Sequence, residues 1–361
     1  MATMKSIAIP NVGNYAVAFG TLGGALGLQA KTCLSVTPEM LALGICHAPE
    51  SCCLPFKAYL GHFIKAAQEG VEYGVMVNSI GSCRLHCYAA LERKILKDLG
   101  HDLHVFDLGY DGIKPPLFRH FDAKMRQCLP ALIALFYKAR GVDLIEANAW
   151  KTRPRELRAG DTTAEMDACL RELTETWGMG NLRRFLKEIP RRFEGIPQDK
   201  TRQPLKVGLL GECAVLRDRF LNHNVEETLG ELGAQVRNFF QLGAELQNIF
   251  NFGIFNEYSE KRQLRKARPY LQTLTGGHAL DSVANALRCA EAGFDGVAHL
   301  CPAGCMPEVS VKSILRKICR DKELPLLELT FDEHTAHAGV CTRLEAFVDV
   351  MLARRRKRTS R

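Results

Sequence analysis

The sequence predicts an α/β protein of two domains built on parallel sheets, and three observations carry that reading. Short β-rich runs alternate with helix-length runs along most of the chain. The alternation halts at a proline- and charge-rich stretch, Ile189 to Pro204, and then starts again. The length, 361 residues with 47% hydrophobic and 24% charged composition, suffices to bury full cores in two domains of ordinary size. Strands separated by helices join by crossovers rather than hairpins, so the sheets are expected to be parallel.

In the first half, Ser6 to Pro10 is a short β-rich start, Ala16 to Leu28 a helix-like run, and Pro38 to Gly44 a short helix. Phe56 to Gly70 is amphipathic and closes at glycine. Tyr73 to Asn78 reads as a strand, Arg84 to Leu99 as a helix stopped by Gly100, and His104 to Leu108 as the next strand. Leu117 to Arg140 reads as a long helix broken near Pro130, and Thr163 to Ile189 as a charged helical stretch around Trp177-Gly178-Met179-Gly180. The second half opens on strand Leu205 to Gly211. It continues with helix Asp218 to Leu232, strand Ala234 to Phe239, and helices through Tyr258 to Arg268 and Asp281 to Gly293. Strand Gly296 to Leu300, helix Pro307 to Lys322, strand Leu324 to Thr330 and a last helix to Leu352 complete it. The expected domains are therefore 1–200, with a long helical insertion, and 205–353.

Charge and targeting signals narrow the class. The net charge of +8 comes mostly from Arg354, Arg355, Arg356, Lys357, Arg358 and Arg361, which leaves a nearly neutral body. Residues 354–361 are expected to be a solvated, disordered basic tail, and nucleic acid is not an expected partner. No apolar run approaches the roughly 20 residues needed to cross a bilayer, and Met1 to Pro10 lacks the features of a signal peptide. A cytoplasmic protein with no membrane partner is expected. In that reducing setting the 14 cysteines are better read as ligands and buried apolar groups than as disulfides.

Six of them cluster. Cys52 and Cys53 precede Leu54-Pro55, Cys83 and Cys87 bracket Arg84-Leu85-His86, and Cys301 and Cys305 precede Met306-Pro307. Thiolates repel one another and resist burial, so a convergent set calls for iron or zinc, or for disulfide exchange. Cys83, Cys301 and Cys305 fall at the carboxyl ends of expected strands, where parallel sheets gather ligands and the next helix offers a positive end. Pro55 and Pro307 suit the first turns of helices. The Cys-Leu-Pro and Cys-Met-Pro pieces, one per half, hint at a distant duplication.

The chain resembles the 2-hydroxyacyl-CoA dehydratase and benzoyl-CoA reductase subunit superfamily, particularly its short activase-related members and the double-cubane cluster proteins. Leu43-Gly44-Ile45-Cys46-His47-Ala48-Pro49-Glu50 leading into Cys53-Leu54-Pro55-Phe56-Lys57, Gly81-Ser82-Cys83-Arg84, Ile95 to Gly100 and Gly208 to Glu212 carry the resemblance. Gly296 to Leu300, Cys305-Met306-Pro307-Glu308, Asp332-Glu333-His334-Thr335 and Thr342 to Asp349 complete it. It implies two Rossmann-like domains with an iron-sulfur cluster in the cleft between them. It places Cys53, Cys83 and Cys305 as ligands of a [4Fe-4S] cluster with one open iron. This chain departs from the short members in having cysteine at 46, 52, 87 and 301. A second thiol beside each ligand, Cys52, Cys87 and Cys301, matches the count for an [8Fe-9S] double cubane, which is the favoured expectation over a single cubane. Cys33, Cys46, Cys128, Cys169, Cys213, Cys289, Cys319 and Cys341 read as small apolar residues.

The resemblance implies a reductase or dehydratase-type oxidoreductase. A separate ATP-hydrolysing activase with its own [4Fe-4S] cluster would supply single electrons for reduction of an acyl-CoA or small-molecule substrate, and a homodimer is expected. No Gly-x-x-x-x-Gly-Lys loop occurs, and Gly276-Gly277-His278 is too little to make one, so ATP belongs to the activase. Arg84 and Lys57 are the expected counter-charges to the cluster, and His299, Glu308, Glu212 and His334 the expected proton donors. His299 reads equally as a core histidine, and Asp332-Glu333 as a helix cap. Three other readings stand beside this one: a structural zinc protein, a thiol-disulfide exchanger using 301/305 or 52/53, and a cluster-bearing electron-transfer subunit without a substrate.

Overall fold

A computed structural model describes residues 5–32, 35–77, 83–108, 120–121, 125–250, 260–273 and 276–359. It is an α/β protein with two four-stranded parallel sheets. The first holds β1 (Ser6–Ile9), β2 (Gln29–Thr32), β3 (Tyr73–Val77) and β4 (His104–Leu108) in the order β2-β1-β3-β4. The second holds β5 (Leu205–Gly211), β6 (Ala234–Asn238), β7 (Gly296–Pro302) and β8 (Leu326–Phe331) in the order β6-β5-β7-β8. Both sheets thus repeat one connectivity, in which the order reverses beside the first strand and leaves a crevice at the carboxyl ends of the first and third.

The connecting helices follow local rules. α1 (Ala16–Ala25) joins β1 to β2. α2 (Pro38–His47) is capped by the Thr37 hydroxyl, which accepts from the Met40 N–H at 3.2 Å. α3 (Leu54–Gln68) packs tightly on α2, because a Cβ at Gly44 would lie 1.7 Å from the Lys57 carbonyl oxygen and one at Gly61 1.6 Å from that of Met40. α4 (Leu85–Asp98) leads to β4. The helical insertion comprises α5 (Met125–Thr152), α6 (Asp161–Glu175) and α7 (Met179–Glu194), with a core around Ile145, Leu170, Leu173, Phe185 and Phe193 that Tyr15, Val17 and Ala18 also enter.

In the second half α8 (Cys213–Arg217), α9 (Val225–Glu231), α10 (Leu242–Phe250), α11 (Glu260–Ala267), α12 (Ala279–Glu291), α13 (Met306–Asp321) and α14 (His337–Thr359) connect and cover the strands. Among the described residues no helix is long and apolar enough to cross a membrane.

Several expectations change. Strand β2 and helix α10 went unread, the first because its exposed Gln29-Ala30-Lys31-Thr32 lacks an apolar pattern. The helix near Pro130 is unbroken; the proline removes its own N–H from the ladder, and the turns beyond it continue to Thr152. The stretch 163–189 divides at Gly178, whose φ of +83° separates α6 from α7. Residues 218–224 form turns rather than helix, because the Asp218 carboxylate takes the N–H groups of Phe220 and Leu221.

The basic tail is not disordered over 354–359. It continues α14, where Arg354 reaches the Glu323 carbonyl and Arg355 pairs with Asp295 at 2.7 Å and donates to the carbonyls of Gln203 and Pro204. The two Cys-x-Pro pieces are not repeats of one another, since Cys53 precedes the third strand of its sheet and Cys305 follows the third strand of the other. The positional counterpart of Cys305 is Cys83. Asn78, Gly81, Ser82, Cys33, Arg361, 117–119 and 258–259 lie outside the described residues.

The two halves share apolar and polar contacts. Val36, Leu54, Ala58 and Trp150 join the core of the second sheet with Leu205, Val207, Leu209 and Phe331. Arg217 pairs with Glu146 of α5 at 2.8 Å, both buried, and its guanidinium lies 4.5 Å from the Tyr15 ring centroid and 4.7 Å from that of Phe240.

One buried group works against stability. Glu92 of α4 is fully buried with neither carboxylate oxygen hydrogen-bonded among the described residues, and burial pushes its carboxyl well above the ordinary range. The folded state therefore holds this proton more tightly than the unfolded chain, so its stability is whole below about pH 4 and falls as pH rises. Glu92→Gln should raise the thermal midpoint at pH 8 by about 2–4 °C and change it little near pH 4.5, as scanning calorimetry at the two pH values would record.

Candidate functional site

Four loops meet where the carboxyl ends of the two sheets face one another. Cys53 stands at the N-cap of α3 and Cys305 at the N-cap of α13, each with extended backbone, no side-chain capping bond, and proline in the first turn that follows. A proline there loses nothing, because its missing N–H would have no helical partner, and the thiol is left free of a capping role. Cys83 precedes α4, and Arg84 beside it donates from Nη2 to the Gly304 carbonyl at 2.7 Å, across the two halves.

Gly304 sits at the centre of this packing. Its φ is +72°, and a Cβ there would lie 3.4 Å from the Ser51 carbonyl oxygen and 3.5 Å from both Arg84 Nη2 and Cys53 Cα. Gly277, at φ +54°, closes the fourth side. A Cβ on it would lie 2.9 Å from Pro307 and 3.8 Å from Cys83 Cβ. Glycine at these two points lets the loops bearing Cys53, Cys83 and Cys305 come together.

Cys53 and Cys305 are buried and Cys83 is half-buried, and they are near enough to influence one another. Burial pushes the Cys53 thiol up to about 11, against the Tyr88 hydroxyl bonded to it and the nearby Phe56 N–H, and Cys83 lies within its electrostatic reach. The Cys53 Sγ and Tyr88 hydroxyl are 2.9 Å apart. Cys305 is also raised by burial, with Glu212, Glu308 and Cys53 adding to the effect. Without a cation Cys53 and Cys305 keep their protons. A metal centre would replace those protons with positive charge, the exchange that thiolate ligands undergo.

Among the described residues no three His, Cys, Asp or Glu side chains stand at the spacing that grips one metal ion. A cluster of several irons is a wider body than one ion and spreads its thiolates accordingly. Cys53, Cys83 and Cys305, drawn from three loops and both halves, are of the donor type such a body takes.

The second trio does not gather. Cys52 is buried beside Cys87, Arg84 and Lys57; burial raises its thiol and the two cations oppose that rise. Cys87 is exposed, and its Sγ donates to the Arg84 carbonyl at 3.0 Å. Cys301 belongs to strand β7, opposite Thr330 of β8, and is wholly buried. Burial pushes its thiol up to about 12, with Lys312 opposing that rise and Glu308, Glu212 and Glu328 adding to it.

The expected counter-charges differ in their availability. Arg84 stands among the cysteine loops. Lys57 is buried and pairs with Glu333 at 2.5 Å, joining α3 to the turn after β8, so its charge is already matched. Burial works against the Glu333 carboxylate, yet Lys57 holds it below the ordinary range.

The expected proton donors also separate. Glu212 caps α8, accepting from the Val215 N–H at 3.0 Å, and burial raises its carboxyl within reach of Cys53 and Cys305. His299 and Glu308 form a wholly buried pair at 2.8 Å, with Ser282 donating to the same Glu308 oxygen at 2.9 Å. His299 lies in mid-strand, which favours the core-histidine reading. His334 is exposed on a turn closed by Asp332, which accepts from the His334 N–H at 3.0 Å and the Thr335 hydroxyl at 2.9 Å.

Two residues were missed. Tyr88, on the cysteine side of α4, carries no sequence signal beyond helical spacing from Cys83-Arg84. His278 was visible in Gly276-Gly277-His278, but that stretch was weighed only as a phosphate loop. No protein-family model matches the chain, and no curated protein matches it.

The Glu308 pair offers a measurable consequence. Glu308→Ala strips a buried His299 and Ser282 of their shared partner and should cost about 3 kcal/mol in urea unfolding, whereas Cys87→Ala, on the exposed side, should cost under about 0.5 kcal/mol.

Proposed function

We propose that this chain holds a [4Fe-4S] cluster on Cys53, Cys83 and Cys305 in the crevice between its two sheets. With it, the chain acts as a reductase or dehydratase-type oxidoreductase fed by a separate ATP-hydrolysing activase. The observation that carries the proposal is the meeting of three cysteine loops from both halves around Gly304 and Gly277. The resemblance of the sequence supports the same three residues. When bound, the cluster supplies storage for single low-potential electrons and an open iron for substrate.

The residues around it have definable tasks. Arg84 sets positive charge beside the thiolates and ties the Cys83 loop to the Cys305 loop. The first turns of α3 and α13 direct backbone N–H groups toward the crevice, which favours anionic sulfur. The Tyr88 hydroxyl stabilises sulfur on Cys53. Glu212, with its carboxyl raised by burial, keeps a proton at higher pH than an ordinary glutamate and is the proton donor best placed near Cys53 and Cys305.

A single cubane is favoured over two because Cys301 is enclosed in β7, apart from Cys52 and Cys87. The substrate, whether an acyl-CoA thioester or a small molecule, rests on resemblance alone.

Anaerobically purified or reconstituted protein should be brown and carry about four irons per chain. Cys53→Ala, Cys83→Ala or Cys305→Ala should each deplete iron severely, while Cys87→Ala and Cys301→Ala should retain it. About eight irons, halved by Cys301→Ala, would restore the double cubane; zinc or no metal would end the proposal.

A further inference from the structure

Three metal-ligating side chains that the cluster reading does not use come together at the start of α14: His337, Cys341 and His223. His337 is the first residue of the helix and Cys341 follows one turn later, so the two side chains share a face. The Cys341 Sγ lies 3.4 Å from His337 Nε2 and 4.0 Å from Nδ1. In a tetrahedral zinc site, bonds of about 2.3 Å to sulfur and about 2 Å to nitrogen set two such donors about 3.6 Å apart. The pair already stands close to that spacing. His337 is exposed and Cys341 half-buried, so the sulfur and the ring are both open to an ion from solvent.

The third side chain comes from another element. His223 closes the turn that Asp218 organises after α8, and its backbone lies in the left-handed region, with φ +56°, as does that of Asn224, with φ +60°. The His223 N–H donates to the Phe220 carbonyl at 3.2 Å, and the Asn224 N–H to that of Arg219 at 2.9 Å. Side-chain-bearing residues adopt this backbone infrequently, and histidine and asparagine are among those that do. The turn brings the His223 ring against Phe331 at the end of β8, with centroids 6.2 Å apart, and to 6.1 Å from the His337 ring. Leu221 and Val225, which flank His223, are buried in one core with Phe331, Val340 and Leu344. The backbone that carries the three donors is therefore fixed by packing on both sides.

Only a side-chain movement separates this arrangement from a common ion. Two imidazoles bound to one zinc through bonds of about 2 Å set their centroids roughly 5 Å apart, so the rings have about 1 Å to close. The exposed His337 is free to turn through it, since no packed neighbour encloses the ring.

We propose that His223, His337 and Cys341 form a zinc site, with two imidazole nitrogens and one thiolate as ligands and the fourth position left to water.

The donor set suits the ion: zinc takes imidazole and thiolate together, whereas calcium and magnesium prefer oxygen. On binding, the Cys341 thiol releases its proton to solvent and the imidazoles bind in their neutral form, the ordinary state of histidine above about pH 7. No electron is transferred. Three protein ligands with a fourth position facing solvent make an open site rather than a closed structural one. The site goes beyond the cluster reading and does not depend on it.

The test is alkylation of the purified full chain with iodoacetamide, with and without excess Zn²⁺, followed by peptide mapping of each cysteine. Zinc should slow modification of Cys341 at least about tenfold, because a metal-bound thiolate is no longer a free nucleophile, and leave the exposed Cys46 unchanged. Mg²⁺ should give no protection. His337→Gln should abolish the effect, and so should His223→Asn, which keeps a residue suited to the left-handed turn but removes the imidazole. Comparison of the unaltered chain with and without zinc keeps the test independent of variant folding. If zinc leaves the alkylation rate of Cys341 unchanged, or if full protection survives in either histidine variant, the proposal is overturned. The readout comes from one peptide, so metal held by Cys53, Cys83 and Cys305 does not enter it.

Discussion

The carboxylate of Asp218 holds the two halves of the molecule in register. It is buried, and it accepts from Asn11 Nδ2 at 2.6 Å, Ser35 Oγ at 3.1 Å and the Val36 N–H at 2.8 Å, all from the first half. The Phe220 and Leu221 N–H groups, each at 2.9 Å, complete its shell from the second. Burial alone would drive such a group to its neutral form, and the ring of donors opposes that rise. A charge that must find five donors from two sheets fixes the end of β1 and the approach to α2 against the loop after α8. Arg217, next in the chain, reaches in the opposite direction to Glu146 of the helical insertion. These two neighbouring residues tie the halves together, although neither lies among the cysteine loops.

Within that crevice, steric economy does what charge does outside it. Gly304 and Gly277 each adopt a backbone conformation that side-chain-bearing residues avoid, and each leaves less than ordinary space or bare contact distance to the neighbouring loop. Three loops carrying cysteine can therefore come together there. Burial of Cys53 and Cys305 raises their hold on protons and increases what a metal centre would gain by replacing those protons. Cys301 shows the contrast. It is as buried as any residue in the chain, yet it is enclosed by sheet and helix rather than by loops, so its sulfur faces the protein interior.

The crevice is bordered by acids as much as by cations. Glu212 and Glu308 both stand within reach of Cys305, while Lys57 is committed to Glu333 and Arg84 alone of the expected pair lies among the loops. An environment so short of free positive charge favours protons on Glu212 and Cys305 in the absence of metal. Burial holds the thiols of Cys53 and Cys305 in their protonated form.

Much of the architecture was legible in the sequence because strands and helices declare themselves by local periodicity. Seven of the eight strands and the interval between the halves follow from runs such as Leu205 to Gly211 and Gly296 to Leu300. β2 escaped because Gln29 and Lys31 on an exposed edge leave no alternating pattern. The cysteine clusters were legible too, as were the prolines that start α3 and α13. Spacing along a chain does not say which way a strand residue points or what lies across a cleft. Only the tertiary structure separated Cys301 from Cys305, matched Lys57 with Glu333, and enclosed His299 with Glu308. The sequence by itself determined which groups could bear the chemistry, since residue type and local periodicity need no partners; contacts between distant segments depend on how two sheets pack, and that was decided in three dimensions.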